Sequence, residues 1–304
     1  QKVVIVRNTR IWFAGLIIIS ANAGGAWSPI GDVTTTMLWI GDKVTTVKLI
    51  LYLFIPSIVC MIVPVLLATC LPAFTGDISD DIAKDSKEDA IHKYGSTMLF
   101  IGLTAIIFVP IFKILTHLPP YVGMMLSLAV VAAFAEIFSN SKINITSIDE
   151  DHEKYSSHSP VHSSLSKIEL PSILFFLGIL MAVAALESLG MLFEFAETIN
   201  NTIPNTDIVV ILLGFGSAII DNVPLVAASM GMFSQLIDDP LWHFIAFSAG
   251  TGGSMLIIGS AAGVVAMGME RIDFYWYLKK ISWLALVGFI SGSLAFILMR
   301  DFII

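Results

Sequence analysis

Charge is scarce in this sequence. Asp, Glu, Lys and Arg together make up 13% of 304 residues, about half the share of a typical soluble domain. That shortage excludes a water-soluble globular fold, and a hydrophobic fraction of 56% points the same way. Cysteine is nearly absent. Cys60 and Cys70 stand ten residues apart in one apolar run, about 15 Å along a helix, too far for a disulfide and without metal-ligand spacing. They read as small apolar fillers. Also missing are a G-x-S-x-G elbow, an H-E-x-x-H helix and any general base beside Gly252-Gly253-Ser254, so an intramembrane enzyme is excluded. The net charge of −8 resides mostly in residues 77–93 and 149–169, which argues for solvated loops and against a nucleic-acid partner.

What the chain has in quantity is uncharged sequence of membrane-crossing length. Such runs occupy residues 11–31, 49–74, 94–112, 118–135, 170–186, 241–269 and 281–299, against the roughly 20 apolar residues that one crossing needs. The expected fold is an all-α polytopic membrane protein. Two of these runs contain one frame: residues 20–32 read S-A-N-A-G-G-A-W-S-P-I-G-D, and residues 248–260 read S-A-G-T-G-G-S-M-L-I-I-G-S, an offset of 228. Glycine-rich interruptions at membrane depth in two corresponding places are the signature of a repeat-built transporter with broken helices.

Lys and Arg in the loops orient the crossings. With residues 1–10 cytoplasmic, Lys84, Lys87, Lys93, Lys142, Lys154 and Lys167 fall inside, and residues 191–206, which hold no Lys or Arg, fall outside. For Arg271, Lys279 and Lys280 to be inside as well, residues 207–235 must enter and return on one side, so the two Gly-Gly elements cross in opposite directions. Lys43 and Lys48 count against this assignment. The expected organisation is residues 1–139 as the later part of a first repeat plus following helices, residues 140–168 as a polar cytoplasmic linker, and residues 169–304 as a second, inverted repeat. The basic opening, without an initiating Met or a small-residue cleavage site, does not read as a signal peptide; the chain is expected to begin partway through a longer protein.

The polar residues of these interruptions carry the chemistry. Pro224 lacks an amide hydrogen and disfavours helix just before it, so the backbone near Asp221 and Asn222 is expected to break and leave carbonyls free. A carboxylate at the bilayer centre costs about 2.5 to 3.5 kcal/mol on insertion scales, which marks Asp221 as functional; the competing reading is a polar turn that caps the next helix. Asp32 is followed by Thr34, Thr35 and Thr36, with Asn22 ten residues before it. Carboxylate, hydroxyl, amide and unwound backbone oxygens suit a small hard cation, and a carboxylate that holds either a cation or a proton supplies exchange chemistry. The alternative for Asp32 is a helix N-cap, with Trp27 and Trp39 as interface anchors. Glu187 and Glu136 are further candidates for a proton path. His152, His158 and His162 fall in a Ser-rich linker, and His243 beside Trp242 reads as an interface residue.

The run at residues 20–39, the Asp-Asn-Val-Pro core within residues 217–230 and the second Gly-Gly run at residues 248–269 resemble the NhaD-type sodium/proton antiporters of the ion transporter superfamily, which is related to arsenite and dicarboxylate permeases. The resemblance implies two inverted repeats, each with a re-entrant hairpin and a broken helix, often in a homodimer. It implies outward sodium, and also lithium, coupled to inward protons by alternating access, with no cofactor and with the bilayer as surroundings. It places the ion site at Asn22, Asp32, Thr34, Thr35, Ser217, Asp221 and Asn222, with Thr251, Ser254 and Ser260 as weaker additions and sodium held at Asp32, Asp221 and Asn222. Family members carry an Asp-Asn-x-Thr hairpin ahead of the first Gly-Gly run, and this sequence begins after it. The rival reading is a dicarboxylate or arsenite permease of the same superfamily, against which the two carboxylates argue because they repel anions. A bacterial inner membrane is the expected location, with a plastid envelope as the alternative.

Overall fold

The computed structural model describes residues 7–74, 95–116, 118–139 and 205–302, with isolated positions between 174 and 203. Glu187, the linker at 140–168 with its histidines, and most of the apolar run at 170–186 lie outside the described residues. The described elements are helical: α1 (Arg7–Ala26), α2 (Val33–Ile40), α3 (Thr46–Thr69), α4 (Gly95–Thr116), α5 (Pro120–Ser139), α6 (Thr206–Ile219), α7 (Asn222–Met232), α8 (Pro240–Gly252), α9 (Ala261–Glu270), α10 (Phe274–Lys280) and α11 (Ser282–Phe302). Four of them are long and apolar enough to cross a bilayer, Thr46–Thr69, Gly95–Thr116, Pro120–Phe138 and Ser282–Phe302. Large apolar side chains such as Leu51, Leu66, Leu99, Leu115 and Leu298 are exposed on them, a surface that only lipid solvates at low cost. The chain is an integral membrane protein.

Two compact units are present, one of Gln1–Lys84 with Gly178–Ile304 and one of Asp85–Leu177. In the second unit α4 and α5 pack as a pair, and the Ser127 hydroxyl donates to the Ala105 carbonyl at 2.9 Å.

In the first unit the two frame-bearing runs are each cut into two shorter helices. α1 stops at Ala26 and α2 starts at Val33; α8 stops at Gly252, a 3-10 turn follows over Gly253–Met255, and α9 starts at Ala261. The shared frame has a physical reason. A methyl on Gly31 would reach the Gly25 carbonyl oxygen at 2.5 Å, and the corresponding pair, Gly253 and Gly259, is equally close. Backbone meets backbone across each break, a closeness only glycine permits. In the first copy Pro29 adds a second cause, since it has no amide hydrogen and disfavours helix at Ser28.

A few contacts fix the helix directions. Arg10 pairs with Glu270 at 2.6 Å, so α1 begins where α9 ends. Gly250 lies beside Ala26, Asp32 and Thr34, and the Asp238 amide donates to the Lys43 carbonyl at 2.8 Å, so α2 ends where α8 begins. The two broken helices therefore run in opposite directions. α6 lies along α8 through Gly214 and Gly252. α7 lies along α2, with Asn222 at Asp32 and Met230 at Gly41, so residues 206–232 go in and come back on one side. α11 runs against α3, with Gly288 against Pro64 and Gly292 against the Pro56 carbonyl.

The loops at the entrance of this hairpin are pinned by Asp238, a residue in the left-handed region at φ 61°. Its carboxylate accepts from the Thr45 amide at 2.6 Å and the Thr45 hydroxyl at 2.9 Å, with Lys48 Nζ at 3.7 Å and His243 Nε2 at 3.5 Å. Asp238→Ala orphans the Thr45 amide, and a loss of about 2 kcal/mol is expected. Thermal unfolding of the purified variant in detergent checks this; an unchanged midpoint removes Asp238 as the pin.

Candidate cation site at the helix breaks

Asp32 occupies the N-cap of α2 in an extended conformation, φ −142° and ψ 156°. Its Oδ1 accepts from the Val33 amide at 2.8 Å. Its Oδ2 accepts from the Thr34 hydroxyl at 2.6 Å and from Asn222 Nδ2 at 3.0 Å. Asp32 is thus both a cap and a meeting point. It is half-buried, and the hairpin residue Asn222 reaches it across 190 positions of sequence. Trp39, read as an interface anchor, is instead buried in protein, and Trp27 stands edge-on to Phe54.

The second break repeats the design with a neutral residue. Ser260, 228 positions after Asp32, is the N-cap of α9 and accepts from the Gly263 amide at 3.2 Å. Asn22 Nδ2 donates to Ser260 Oγ at 3.0 Å. Two polar pairs therefore bridge the fold, Asn222 with Asp32 and Asn22 with Ser260, and only the first carries a carboxylate.

The remaining hydroxyls donate to backbone carbonyls at or near the breaks. Thr35 donates to Ser28 at 2.8 Å, Ser217 to Ala249 at 2.7 Å, Thr251 to Phe247 at 2.6 Å and Ser254 to Thr251 at 2.7 Å. Each hydroxyl thereby places its own hydrogen on an acceptor inside the protein, and each oxygen keeps lone pairs for a cation. Asp221 is half-buried at the N-cap of α7 and closes no capping bond. The backbone does break there, with Ile220 extended and Asp221 non-helical at φ −47° and ψ 142°, and Pro224 sits in the first turn of α7, where its missing amide hydrogen costs nothing.

One residue carries no expectation from the sequence and another stands elsewhere than expected. The Tyr277 hydroxyl donates to the Ser254 carbonyl at 2.8 Å, tying α10 to the second break; the only signal was a Tyr inside the run F-Y-W-Y-L-K-K. His243 is not an interface residue but wholly buried, edge-on to Tyr52, with centroids 4.7 Å apart.

The chain matches the family model described as "Citrate transporter" over residues 3–244. It belongs to the citrate transporter family. Several relatives carry antiporter names: it is 42% identical to "Sodium/proton antiporter 1" of Arabidopsis thaliana over 99% of this chain and 51% of the relative. It is 40% identical to "Sodium/proton antiporter 2" of Arabidopsis thaliana over 94% of this chain and 67% of the relative. It is 33% identical to "Na(+)/H(+) antiporter NhaD" of Vibrio parahaemolyticus over 86% of this chain and 65% of the relative. The chain spans about half the length of the first of these and up to two thirds of the others. No solved structure matches. The NhaD-type resemblance read from residues 20–39 and 217–230 accordingly stands, in a member of the citrate transporter family, and it places this chain among transporters rather than enzymes.

Proposed function

We propose that the protein containing this chain exchanges sodium or lithium for protons by alternating access. The observation that carries the reading is the Asp32 carboxylate at the first helix break, met by Thr34 from its own half-helix and by Asn222 from the hairpin. A protonated carboxyl releases its proton as the cation arrives, and the departing cation leaves a carboxylate that takes a proton from the opposite side. Asp32 and Asp221 are the exchanging groups. Asn22, Asn222, Thr34, Thr35, Ser217, Thr251, Ser254 and Ser260 supply neutral oxygens, which strip a small cation of water without adding charge. Two inverted repeats, at residues 1–139 and 169–304, supply the two halves of the site, with residues 140–168 as a cytoplasmic linker.

The lysines that opposed this orientation are both engaged. Lys43 lies 4.7 Å from the Trp242 ring centroid, and Lys48 pairs with Asp238. Neither is a free cation on the outer face, which supports a cytoplasmic N-terminus. The higher identity to the Arabidopsis thaliana proteins than to the bacterial one supports a plant membrane over a bacterial inner membrane; a fluorescent fusion followed in plant cells tests whether that membrane is the plastid envelope.

Proton movement in proteoliposomes of the complete protein tests the reading, with sodium, lithium, potassium and a carboxylate anion added in turn. Coupling to sodium or lithium alone supports it. The family description favours a second reading, a carboxylate-anion carrier, and anion uptake without a cation response would establish that instead. Asp221→Asn keeps the volume and removes a charge that is expensive at membrane depth. The variant is expected to insert normally and lose exchange; retained exchange removes Asp221 from the mechanism.

A further inference from the structure

The end of α9, the short α10 and the start of α1 build a second charged feature away from the breaks. Arg271 occupies the C-cap of α9 in the left-handed region, φ 49° and ψ 52°, where glycine is the least strained residue. Its backbone carbonyl accepts from Arg7 Nη2 at 3.2 Å, which holds a second guanidinium nearby. Arg7, Arg271, Asp273 and Trp276 line one surface cavity. Lys279 and Lys280 are exposed at the end of α10.

The local charge balance is positive on an acidic chain. Arg10 and Glu270 neutralise each other at 2.6 Å. Asp273 is committed to the Trp276 amide at 3.0 Å as the cap of α10. Arg7 and Arg271 share the cavity with this one carboxylate, and Lys279 and Lys280 add two exposed cations at the other end of α10. Aromatic and apolar side chains accompany them: Tyr275 and Leu278 are exposed, Trp276 is half-exposed, and Trp283 lies at the start of the spanning helix α11. Exposed aromatics beside cations at the end of an apolar span mark headgroup depth.

We infer that this patch is a binding site for the phosphate of an anionic phospholipid headgroup, held between Arg7 and Arg271 with Trp276 as one wall. A free inorganic anion would have no use for exposed Tyr275 and Leu278, whereas a lipid covers them with its glycerol and upper acyl chain. The inner face of α10 gives the site a consequence. Tyr277 is wholly buried and its hydroxyl rests on the Ser254 carbonyl, so a lipid that fixes α10 also stiffens the second break.

The test uses the complete protein in nanodiscs of phosphatidylcholine with or without phosphatidylglycerol, reading lipid retention by native mass spectrometry and the unfolding midpoint. Phosphatidylglycerol should be retained preferentially and raise the midpoint. Arg271→Gly suits the left-handed backbone and therefore preserves the fold, and Arg7→Gln removes the second cation. Each should weaken retention about fivefold, the value of one cation at an anionic surface. Retention equal to that of the unsubstituted protein in both variants overturns the site. A midpoint raised as much by inorganic phosphate in detergent overturns the lipid assignment. No transport is measured, so the outcome is separate from that of the antiporter reading.

Discussion

Asp32→Asn is expected to abolish cation-coupled proton movement while leaving a folded, inserted protein. Three donors converge on the carboxylate, from Val33, Thr34 and Asn222, and an amide offers one accepting oxygen in place of two. The substitution also removes the negative charge that would compensate a dehydrated cation. A loss of about 3 kcal/mol, roughly 100-fold in cation affinity, follows for charge-assisted bonds of this kind. The cap of α2 survives in part, because Asn is also a good N-cap residue, so the unfolding midpoint should move little. Sodium-driven proton release from proteoliposomes, paired with thermal unfolding of the same sample, separates the two effects. Wild-type exchange in Asp32→Asn would sink the proposed mechanism.

Gly252→Ala should be among the most damaging single methyls in the first unit. Its new carbon would collide with the backbone of Gly214 on α6, and neither a rotamer change nor a flexible tip can relieve a backbone clash. α6 must move away from α8, which breaks the Ser217 bond to Ala249 and shifts the hairpin that carries Asn222. A cost of about 3 kcal/mol is expected, at the upper end for overpacking. Gly216→Ala on the same helix is the control, since its methyl meets only the Leu225 side chain, at 3.6 Å and beyond. Equal unfolding midpoints for the two variants would show that α6 and α8 do not depend on this close approach.

Several features were legible before any coordinates. The repeated glycine frame located both breaks, because close backbone approach admits no other residue and so leaves a trace in sequence. Pro224 announced the break at Asp221 for a similarly local reason. The N-cap reading of Asp32 and the ion-site reading looked like alternatives, yet the residue does the first while presenting Oδ2 to Thr34 and Asn222. Thr35, Ser217, Thr251 and Ser254 were selected as ligands by resemblance, and the fold gives their hydrogens to backbone carbonyls. Sequence does not separate those roles, since a hydroxyl near a helix break serves either. His243 is buried rather than interfacial, as is Trp39, an interface anchor only under the alternative for Asp32, because an aromatic or His at a span end reads the same whether lipid or protein covers it.

The sequence by itself determined that this chain lives in a membrane, where its helices break and that the segment around Asp221 turns back. These are local consequences of apolar length, glycine, proline and the need to satisfy every backbone group within lipid. Tertiary structure alone decided which polar groups meet. Asn222 joins Asp32 across 190 residues and Asn22 joins Ser260 across 238, pairings set by how antiparallel half-helices pack. No local rule of backbone chemistry specifies contacts at such separations.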